Sequence, residues 1–195
     1  MRDTHPRIAI FASGNGSNAQ RIAEYFSEKS TATVALIVSN KKEAYVLERA
    51  KTLNIPSYCF SKEQFAEGDD VLALLREYHI DFIVLAGFLL LIPQKLIQSF
   101  PDAIVNIHPA LLPKFGGKGM YGKYVHEAVI AAKEKESGIT VHFVNEKYDE
   151  GAYILQATCP VADNDTPDTL SEKIHKLEYK YFPKAIELAL FDNNE

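Results

Sequence analysis

Three polar residues could together catalyse the transfer of an acyl group. Asn106 and His108 lie two residues apart in the apolar stretch AIVNIHPALLPKF (103–115), so on a strand both side chains point to the same face. An amide and an imidazole N–H side by side suit a carbonyl that is becoming tetrahedral. Asp149, in the turn EKYDEGA, could orient the imidazole, raise its pKa or relay protons. A structural interpretation stays open, because such residues also satisfy loop backbone and Asp-Glu-Gly is ordinary turn chemistry.

The same residues favour a direct reaction between two bound substrates. No G-x-S-x-G nucleophile elbow occurs in the sequence, so attack by a substrate amine on a bound acyl donor needs only positioning, carbonyl polarisation and a proton path. His142, in ITVHFVN (139–145), is interpreted either as a core histidine or as a residue that supports the catalytic ones from behind. The histidines and Asp149 lack the spacing of a metal motif, so no metal is expected.

A glycine loop, GNGSNA (14–19), follows the first apolar run and opens a helical segment. Backbone N–H groups and the positive end of a helix dipole suit a phosphate at such a place. The loop also fits the G-x-G-x-x-A dinucleotide fingerprint, but SNKK (39–42) stands where NAD binding requires an acidic residue, which leaves NADP open. The structural alternative is a plain tight turn with Ser17 or Asn18 as the helix cap.

Apolar runs alternate with helical patterns over most of the chain. The runs typical of strands are RIAIFA (7–12), VALIVSN (34–40), PSYCF (56–60), FIVLAGF (82–88) and AIVNIHP (103–109). Helical spacing follows several of them, as in KKEAYVLERAKTLN (41–54) and DVLALLREYHI (70–80). The alternation predicts an α/β, Rossmann-like fold with a mostly parallel twisted sheet and helices on both faces.

The last third of the chain predicts an antiparallel edge to this sheet. After a helix at 124–135, ITVHFVN and YILQATCPV (153–161) are separated by a short turn, which is typical of a hairpin. Thr166 and Pro167 then signal a helix that Pro183 should kink or divide. No repeat or linker marks a boundary, so residues 1–195 are expected to form a single domain.

The composition limits the binding partners and the cellular compartment that can be expected for this protein. The net charge of −5 gives no general attraction to nucleic acid or to an anionic membrane surface. Cys59 and Cys159, the two cysteines, form no close-spaced pattern, so neither a disulfide framework nor a zinc site is indicated. The start MRDTHP lacks an apolar signal region, and the longest apolar run (82–93) is too short to span a bilayer. We expect a soluble cytoplasmic protein that binds small molecules.

Five motifs carry a resemblance to a known family. SGNGSN, LAGF (85–88), NIHPALLPKF, GITVHFV and YDEGAYILQ resemble the phosphoribosylglycinamide formyltransferases, folate-dependent enzymes of purine biosynthesis, nearly from end to end. The wider family of enzymes that use 10-formyltetrahydrofolate shares NIHP-x-LLP, and SGNGSN is typical of this branch. The resemblance implies a formyl group passed from 10-formyltetrahydrofolate, as co-substrate, to the amine of N1-(5-phospho-D-ribosyl)glycinamide, by a monomer or homodimer.

The resemblance also assigns roles to individual residues. Asn106 and His108 would stabilise the tetrahedral oxyanion, and Asp149, with His108 or an ordered water, would move the proton from the attacking amine to the leaving folate nitrogen. The positions that match the family's substrate-binding residues are Gly16, Ser17 and Asn18 for the phosphate and Glu178 for the ribose hydroxyls. The positions that match its folate-binding residues are Leu89, Leu90, Leu91, Ile92 and Asn106.

Two features depart from the family pattern. Leu90 stands where many members carry an arginine, so a polar contact to the folate is absent there or supplied elsewhere. The loop GGKGMYG (116–122) is longer than the common short form, and its glycines imply mobility. Lys118 in this loop either reaches an anionic ligand or lies at an exposed tip.

Three other functions compete with formyl transfer. An NADP-dependent oxidoreductase would use the glycine fingerprint. A methionyl-tRNA formyltransferase would share NIHP-x-LLP but would need an extra carboxyl-terminal domain and a basic surface. A catalytically inactive folate-binding module would keep the pocket and lose turnover.

Overall fold

The computed structural model describes residues 5–191, so residues 1–4 of the polar amino terminus lie outside the described part. The chain divides into two compact units, residues 1–104 and 105–195. The expected single domain over residues 1–195 therefore stays a prediction. Among the described residues the chain forms seven strands and seven helices.

The first unit is built on four parallel strands. They are β1 (Arg7–Phe11), β2 (Thr33–Ser39), β3 (Ser57–Cys59) and β4 (Phe82–Leu85). Strand β1 pairs with β2 on one side and with β4 on the other, and β2 pairs with β3, always in parallel. Residues 8–11 of β1 are fully buried, because a central parallel strand is covered on both faces and so carries an unbroken apolar run.

Five helices accompany these strands. They are α1 (Ser17–Lys29), α2 (Val46–Thr52), α3 (Lys62–Glu67), α4 (Asp69–Glu77) and α5 (Gln94–Ser99). Helix α2 is half the length of the helical pattern from which it was predicted. Helix α3 was not predicted, although Ser61 and Gln64 form a capping box at its start, which is a signal that the sequence carries.

The second unit contains three strands with antiparallel pairing, of which the sequence predicts only the hairpin of the last two. They are β5 (Ile104–His108), β6 (Glu136–Phe143) and β7 (Tyr153–Pro160), and β6 pairs antiparallel with both of the others. Helix α6 spans Lys123–Ala131 and helix α7 spans Pro167–Phe191. The α/β prediction is confirmed: the seven-stranded sheet is mixed, parallel through its first four strands and antiparallel in its carboxyl-terminal ones.

Helix α7 continues through Pro183 without division. Proline cannot donate the backbone hydrogen bond to the preceding turn. The neighbouring side chains Phe182, Ala185 and Ile186 are fully buried, so tertiary packing of the apolar face maintains the helix across the missing bond. No helix among residues 5–191 combines the length and apolar character needed to cross a membrane.

We expect the two glycines of the loop before α1 to differ sharply in their tolerance of alanine. Gly16 has φ of +77°, and a Cβ there would lie 2.4 Å from Val46 Cγ2, whereas a Cβ at Gly14 would meet nothing within 4 Å. Gly16→Ala should lower the free energy of unfolding by about 2–4 kcal/mol, and Gly14→Ala by less than about 0.5 kcal/mol. Urea titration measures both values. Equal stability of the two variants would contradict the packing argument.

Candidate active site

Strand pairing brings Asn106 and His142 together. On the antiparallel pair, Asn106 of β5 lies directly opposite His142 of β6, so the two side chains share one face of the sheet. The amide nitrogen of Asn106 lies 3.2 Å from His142 Nε2. His108, two residues further along β5, is 3% exposed, as is His142. The predicted convergence of Asn106 and His108 on one face is therefore present, and His142 joins it.

Asp149 lies between the two imidazoles. Its Oδ2 atom is 3.6 Å from His108 Nδ1, and its Oδ1 atom is 3.6 Å from His142 Nε2. The residue sits in the β6–β7 turn with φ of +55°, a conformation that aspartate tolerates better than most residues. Its side chain is only 13% exposed. The structure thus gathers Asn106, His108, His142 and Asp149 into one buried polar cluster.

Backbone carbonyls fix which nitrogen of each ring carries a proton. His108 Nε2 lies 2.8 Å from the Phe115 carbonyl oxygen, and His142 Nδ1 lies 2.8 Å from the Phe143 carbonyl oxygen. A carbonyl oxygen can only accept, so both of these nitrogens are N–H donors. In the neutral rings the lone pairs are therefore on His108 Nδ1 and His142 Nε2, the two atoms that face Asp149. His142 Nε2 then accepts from the Asn106 amide, which fixes the orientation of that amide.

Burial and these contacts shift the pKa values of His108 and Asp149. Burial lowers the pKa of His108, against the opposing effects of Asp149 and the Phe115 carbonyl. Burial alone would raise the pKa of Asp149, but the interaction with His142, the hydrogen bond from the Gly117 N–H and the nearby His108 hold it below its ordinary value. At neutral pH the site therefore contains an ionised carboxylate beside a neutral imidazole. Both groups can accept a proton.

Two polar residues that the sequence analysis missed hold the chain just after His108. The Thr140 hydroxyl donates to the Ala110 carbonyl (2.8 Å) and accepts from the Leu112 N–H (3.0 Å). Gln156 Nε2 donates to the Leu112 carbonyl at 3.0 Å and to the Thr140 hydroxyl at 2.9 Å. The signal for Thr140 was available, because it lies two residues before His142 and so on the same face of β6.

The glycine loop belongs to the first unit and is anchored by α2. Gly16 caps α1, so Ser17 begins the helix and Asn18 lies in its first turn; the alternative with either of them as cap is wrong. Arg49 donates from Nε to the Asn15 carbonyl (2.8 Å) and from Nη2 to the Asn15 side-chain oxygen (2.7 Å). No local pattern indicates a role for this arginine, since it lies 34 residues from Asn15 along the chain.

The expected folate-binding segment lies beside the same loop, also in the first unit. The Leu89 N–H donates to the Ser13 hydroxyl at 3.0 Å, and the Ser13 N–H donates to the Gly87 carbonyl at 3.1 Å. Leu89 and Leu91 are 51% and 56% exposed, Leu90 is half-buried, and Ile92 is buried. Apolar side chains exposed this far are a surface suited to a flat apolar ligand.

Glu178 lies in a second polar cluster of the second unit. It is 6% exposed on α7, and its Oε2 atom is 3.0 Å from His175 Nδ1. Interaction with Glu178 raises the pKa of His175. His126, 4% exposed on α6, has an Nδ1 atom without a hydrogen-bond partner, and burial, then His175, lower its pKa. Both His108 and Glu178 act electrostatically on His126.

The remaining candidate features are simple to place. Lys118 is exposed in the loop 116–122. Across residues 5–191, no group of three or more His, Cys, Asp or Glu side chains is arranged to hold a metal ion.

The buried histidines should make stability depend on pH. His108 and His126 have pKa values below the ordinary 6.5, so the unfolded chain takes up their protons first and stability falls as the pH drops below 6.5. His175 has a raised pKa, so its contribution is complete below 6.5, is lost as the pH rises through the folded-state pKa, and partly opposes this fall.

We expect His126→Gln to flatten the loss of unfolding free energy between about pH 7.5 and about pH 5.5, and His175→Gln to steepen it. Urea titrations at the two pH values measure the slopes. Identical slopes in wild type and His126→Gln would show that His126 does not titrate differently on folding.

Known proteins are similar to this chain over most of its length. Residues 6–186 match the family model described as formyl transferase. Phosphoribosylglycinamide formyltransferase of Bacillus subtilis is 38% identical over 96% of this chain and 96% of its own length. The chloroplastic enzyme of that name from Arabidopsis thaliana is 43% identical over 92% of this chain, which spans 64% of that relative's length.

A solved structure supports the same relationship. The crystal structure of phosphoribosylglycinamide formyltransferase from Anaplasma phagocytophilum superposes with a TM-score of 0.89 at 32% identity, over 96% of this chain and 88% of that one. The resemblance predicted from the motifs is thereby confirmed, and the chain belongs to the formyl transferase family.

Proposed function

We propose that this chain transfers a formyl group from 10-formyltetrahydrofolate to the amine of N1-(5-phospho-D-ribosyl)glycinamide, in purine biosynthesis. The observation that carries the proposal is the Asp149 carboxylate, 3.6 Å from a nitrogen of each of two buried imidazoles, one of which also lies 3.2 Å from the Asn106 amide nitrogen. The relatives from Bacillus subtilis and Arabidopsis thaliana, which match over most of the chain, are named phosphoribosylglycinamide formyltransferases.

The reaction forms one bond and breaks another at the formyl carbon. The glycinamide amine attacks that carbon, and the formyl oxygen becomes an oxyanion. Asn106 has two amide N–H groups and uses one on His142, so the other is available to the oxyanion. His108 supplies its Nε2–H as the second donor. Collapse of the tetrahedral intermediate restores the carbonyl and breaks the bond to the folate nitrogen.

Asp149 provides the path for the proton. The attacking nitrogen loses a proton as the new bond forms, and the folate nitrogen gains one as it leaves. A carboxylate held ionised beside a neutral imidazole accepts the first proton, directly or through water, and returns it to the leaving group. His142 takes no part in this transfer; it positions Asn106.

Separate elements bind the rest of each substrate. The N–H groups at the start of α1, at Gly16, Ser17 and Asn18, hold the phosphate, and the Glu178 carboxylate accepts hydrogen bonds from the ribose hydroxyls. The folate lies against residues 89–92 and contacts Asn106. The unpaired Cys59 and Cys159 suit the reducing cytoplasm, where we place the reaction, with the enzyme acting as a monomer or homodimer.

A formyl-transfer assay with purified protein, glycinamide ribonucleotide and a 10-formylfolate donor tests this function. We expect formylated product in amounts equal to the deformylated folate. Binding of both ligands without transfer would favour an inactive folate-binding module instead. Tight binding of NADPH that depends on its 2′-phosphate would favour the oxidoreductase.

The catalytic roles predict losses of turnover that are far larger than the losses of stability. His108→Ala and Asp149→Asn should each lower kcat by about 10²–10⁴-fold, because each removes a proton acceptor or an oxyanion donor. Steady-state kinetics measure kcat, and thermal unfolding of the same samples checks the fold. The exposed Asp168 provides a matched control as Asp168→Asn, which should turn over normally. A variant that keeps wild-type turnover removes its residue from the mechanism.

If the glycine loop binds the phosphate, a substitution at Ser17 should weaken substrate binding without lowering the stability of the protein. No acidic residue lies in the first turn of α1, so Ser17→Asp should leave the helix as stable or more stable through the helix dipole. The new negative charge should repel the phosphate and raise KM for the ribonucleotide by about 10-fold or more, at unchanged KM for the folate.

Ser17→Asn is the matched control, because it has the shape of aspartate without the charge. It should raise the same KM much less than Ser17→Asp does. Equal values of this KM for the two variants would exclude a phosphate at the start of α1.

A further inference from the structure

One short segment of the second unit makes a hydrogen bond with each of the two proposed catalytic side chains. The Phe115 carbonyl accepts from His108 Nε2–H at 2.8 Å, and the Gly117 N–H donates to Asp149 Oδ2 at 2.8 Å. Gly116, between them, is packed closely: a Cβ there would lie 2.5 Å from Leu112 Cδ2 and 3.5 Å from Asp149 Cβ. The contact is therefore specific and close-fitting.

The Phe115 carbonyl and the Gly117 N–H resemble the two groups that react, the formyl carbonyl and the substrate amine. A peptide carbonyl oxygen stands in for the formyl oxygen, which needs the N–H of His108. A peptide N–H stands in for the attacking amine, whose proton Asp149 takes. While the Phe115 carbonyl holds Nε2–H, the neutral His108 ring has no other N–H to give, because its Nδ1 lone pair faces Asp149.

We infer that residues 115–117 form an autoinhibitory strap, which occupies His108 and Asp149 in place of the substrates and must leave them before formyl transfer. The inference rests on the proposed function, since it takes these two residues to be catalytic. The strap is part of this chain and competes with both substrates for the same atoms.

The backbone of the strap is strained in a way that favours release. Phe115 has φ of +56°, a left-handed conformation that costs a bulky residue about 1–2 kcal/mol. Gly117 has φ of +91°, which only glycine adopts readily. Strain of this kind persists only where surrounding contacts maintain it, and here those contacts are the hydrogen bonds to His108 and Asp149. Substrates that replace these bonds also relieve the strain.

Occupation by the strap should weaken apparent substrate binding. A ligand that binds only the open form has an apparent Kd divided by the fraction of molecules that are open. A change that destabilises the closed strap without touching the catalytic side chains should therefore tighten binding.

Gly117→Ala is that change, because a Cβ there meets nothing within 4 Å but φ of +91° is strained for alanine. We expect the Kd of the 10-formylfolate donor, measured by calorimetry, to fall by about 5- to 30-fold. Gly119→Ala is the matched control in the same loop, since φ of +89° is equally strained for alanine and a Cβ there also meets nothing within 4 Å, but the residue lies outside the strap; its Kd should equal that of wild type. A Kd in Gly117→Ala that is unchanged or higher would overturn the inference.

Amide exchange in the wild-type protein decides the same question without a variant. Labelling with ¹⁵N-glycine gives a spectrum of ten backbone signals. We expect the Gly117 N–H to exchange slowly in the free protein and faster when glycinamide ribonucleotide and the folate donor are bound. An amide that exchanges fast in the free protein, or becomes slower on binding, would overturn the strap. If exchange behaves as expected but no formyl transfer occurs, the ligands still displace residues 115–117 and it is the proposed function that fails.

Discussion

The buried carboxylate of Asp149 constrains everything around it. A charged group with 13% exposure is costly unless other groups stabilise it, and here the Gly117 N–H donates to Asp149 Oδ2 at 2.8 Å. Each of the two neighbouring imidazoles is itself fixed, because its second nitrogen donates to a backbone carbonyl at 2.8 Å. In the neutral form of each ring the remaining lone pair therefore points toward Asp149. Proton acceptors thus face one another across the cluster, which is the arrangement that a proton-transfer site needs.

The antiparallel pairing of β5 and β6 places the members of this cluster. It sets Asn106 against His142 and His108 against Thr140, so one face of two strands provides an amide, two imidazoles and a hydroxyl. A slip of one residue in this register would turn every one of these side chains to the opposite face. Thr140 and Gln156 hold the chain after His108, and this chain continues into the strap. The strand register and the anchoring of this loop therefore together position the catalytic side chains and the strap.

Local patterns in the sequence predict most strands and the face on which Asn106 and His108 lie, but they do not predict contacts between residues that are far apart along the chain. Strands β1, β2 and β4 follow from apolar runs, and the spacing of Asn106 and His108 places both on one face, because the strand period is two. Helix α3 is only six residues long and has too few positions for a helical period to emerge. The anchoring of Asn15 by Arg49 spans 34 residues. The contacts of Phe115 and Gly117 are made by backbone atoms, which leave no mark on the pattern of side chains.

The glycine loop can be both a tightly packed structural turn and an anion-binding site. Gly16 lies against Val46 with no room for a Cβ, and the Val46 N–H donates to the Gly14 carbonyl at 3.1 Å, so α2 shapes the turn whether or not a ligand is present. The same left-handed Gly16 starts α1 at Ser17 and so sets the backbone N–H groups of the first turn at the positive end of the helix dipole. A loop that its own packing holds in this form loses little entropy when an anion arrives. The tightness that makes Gly16 structural is therefore also what prepares the start of α1 to bind a phosphate.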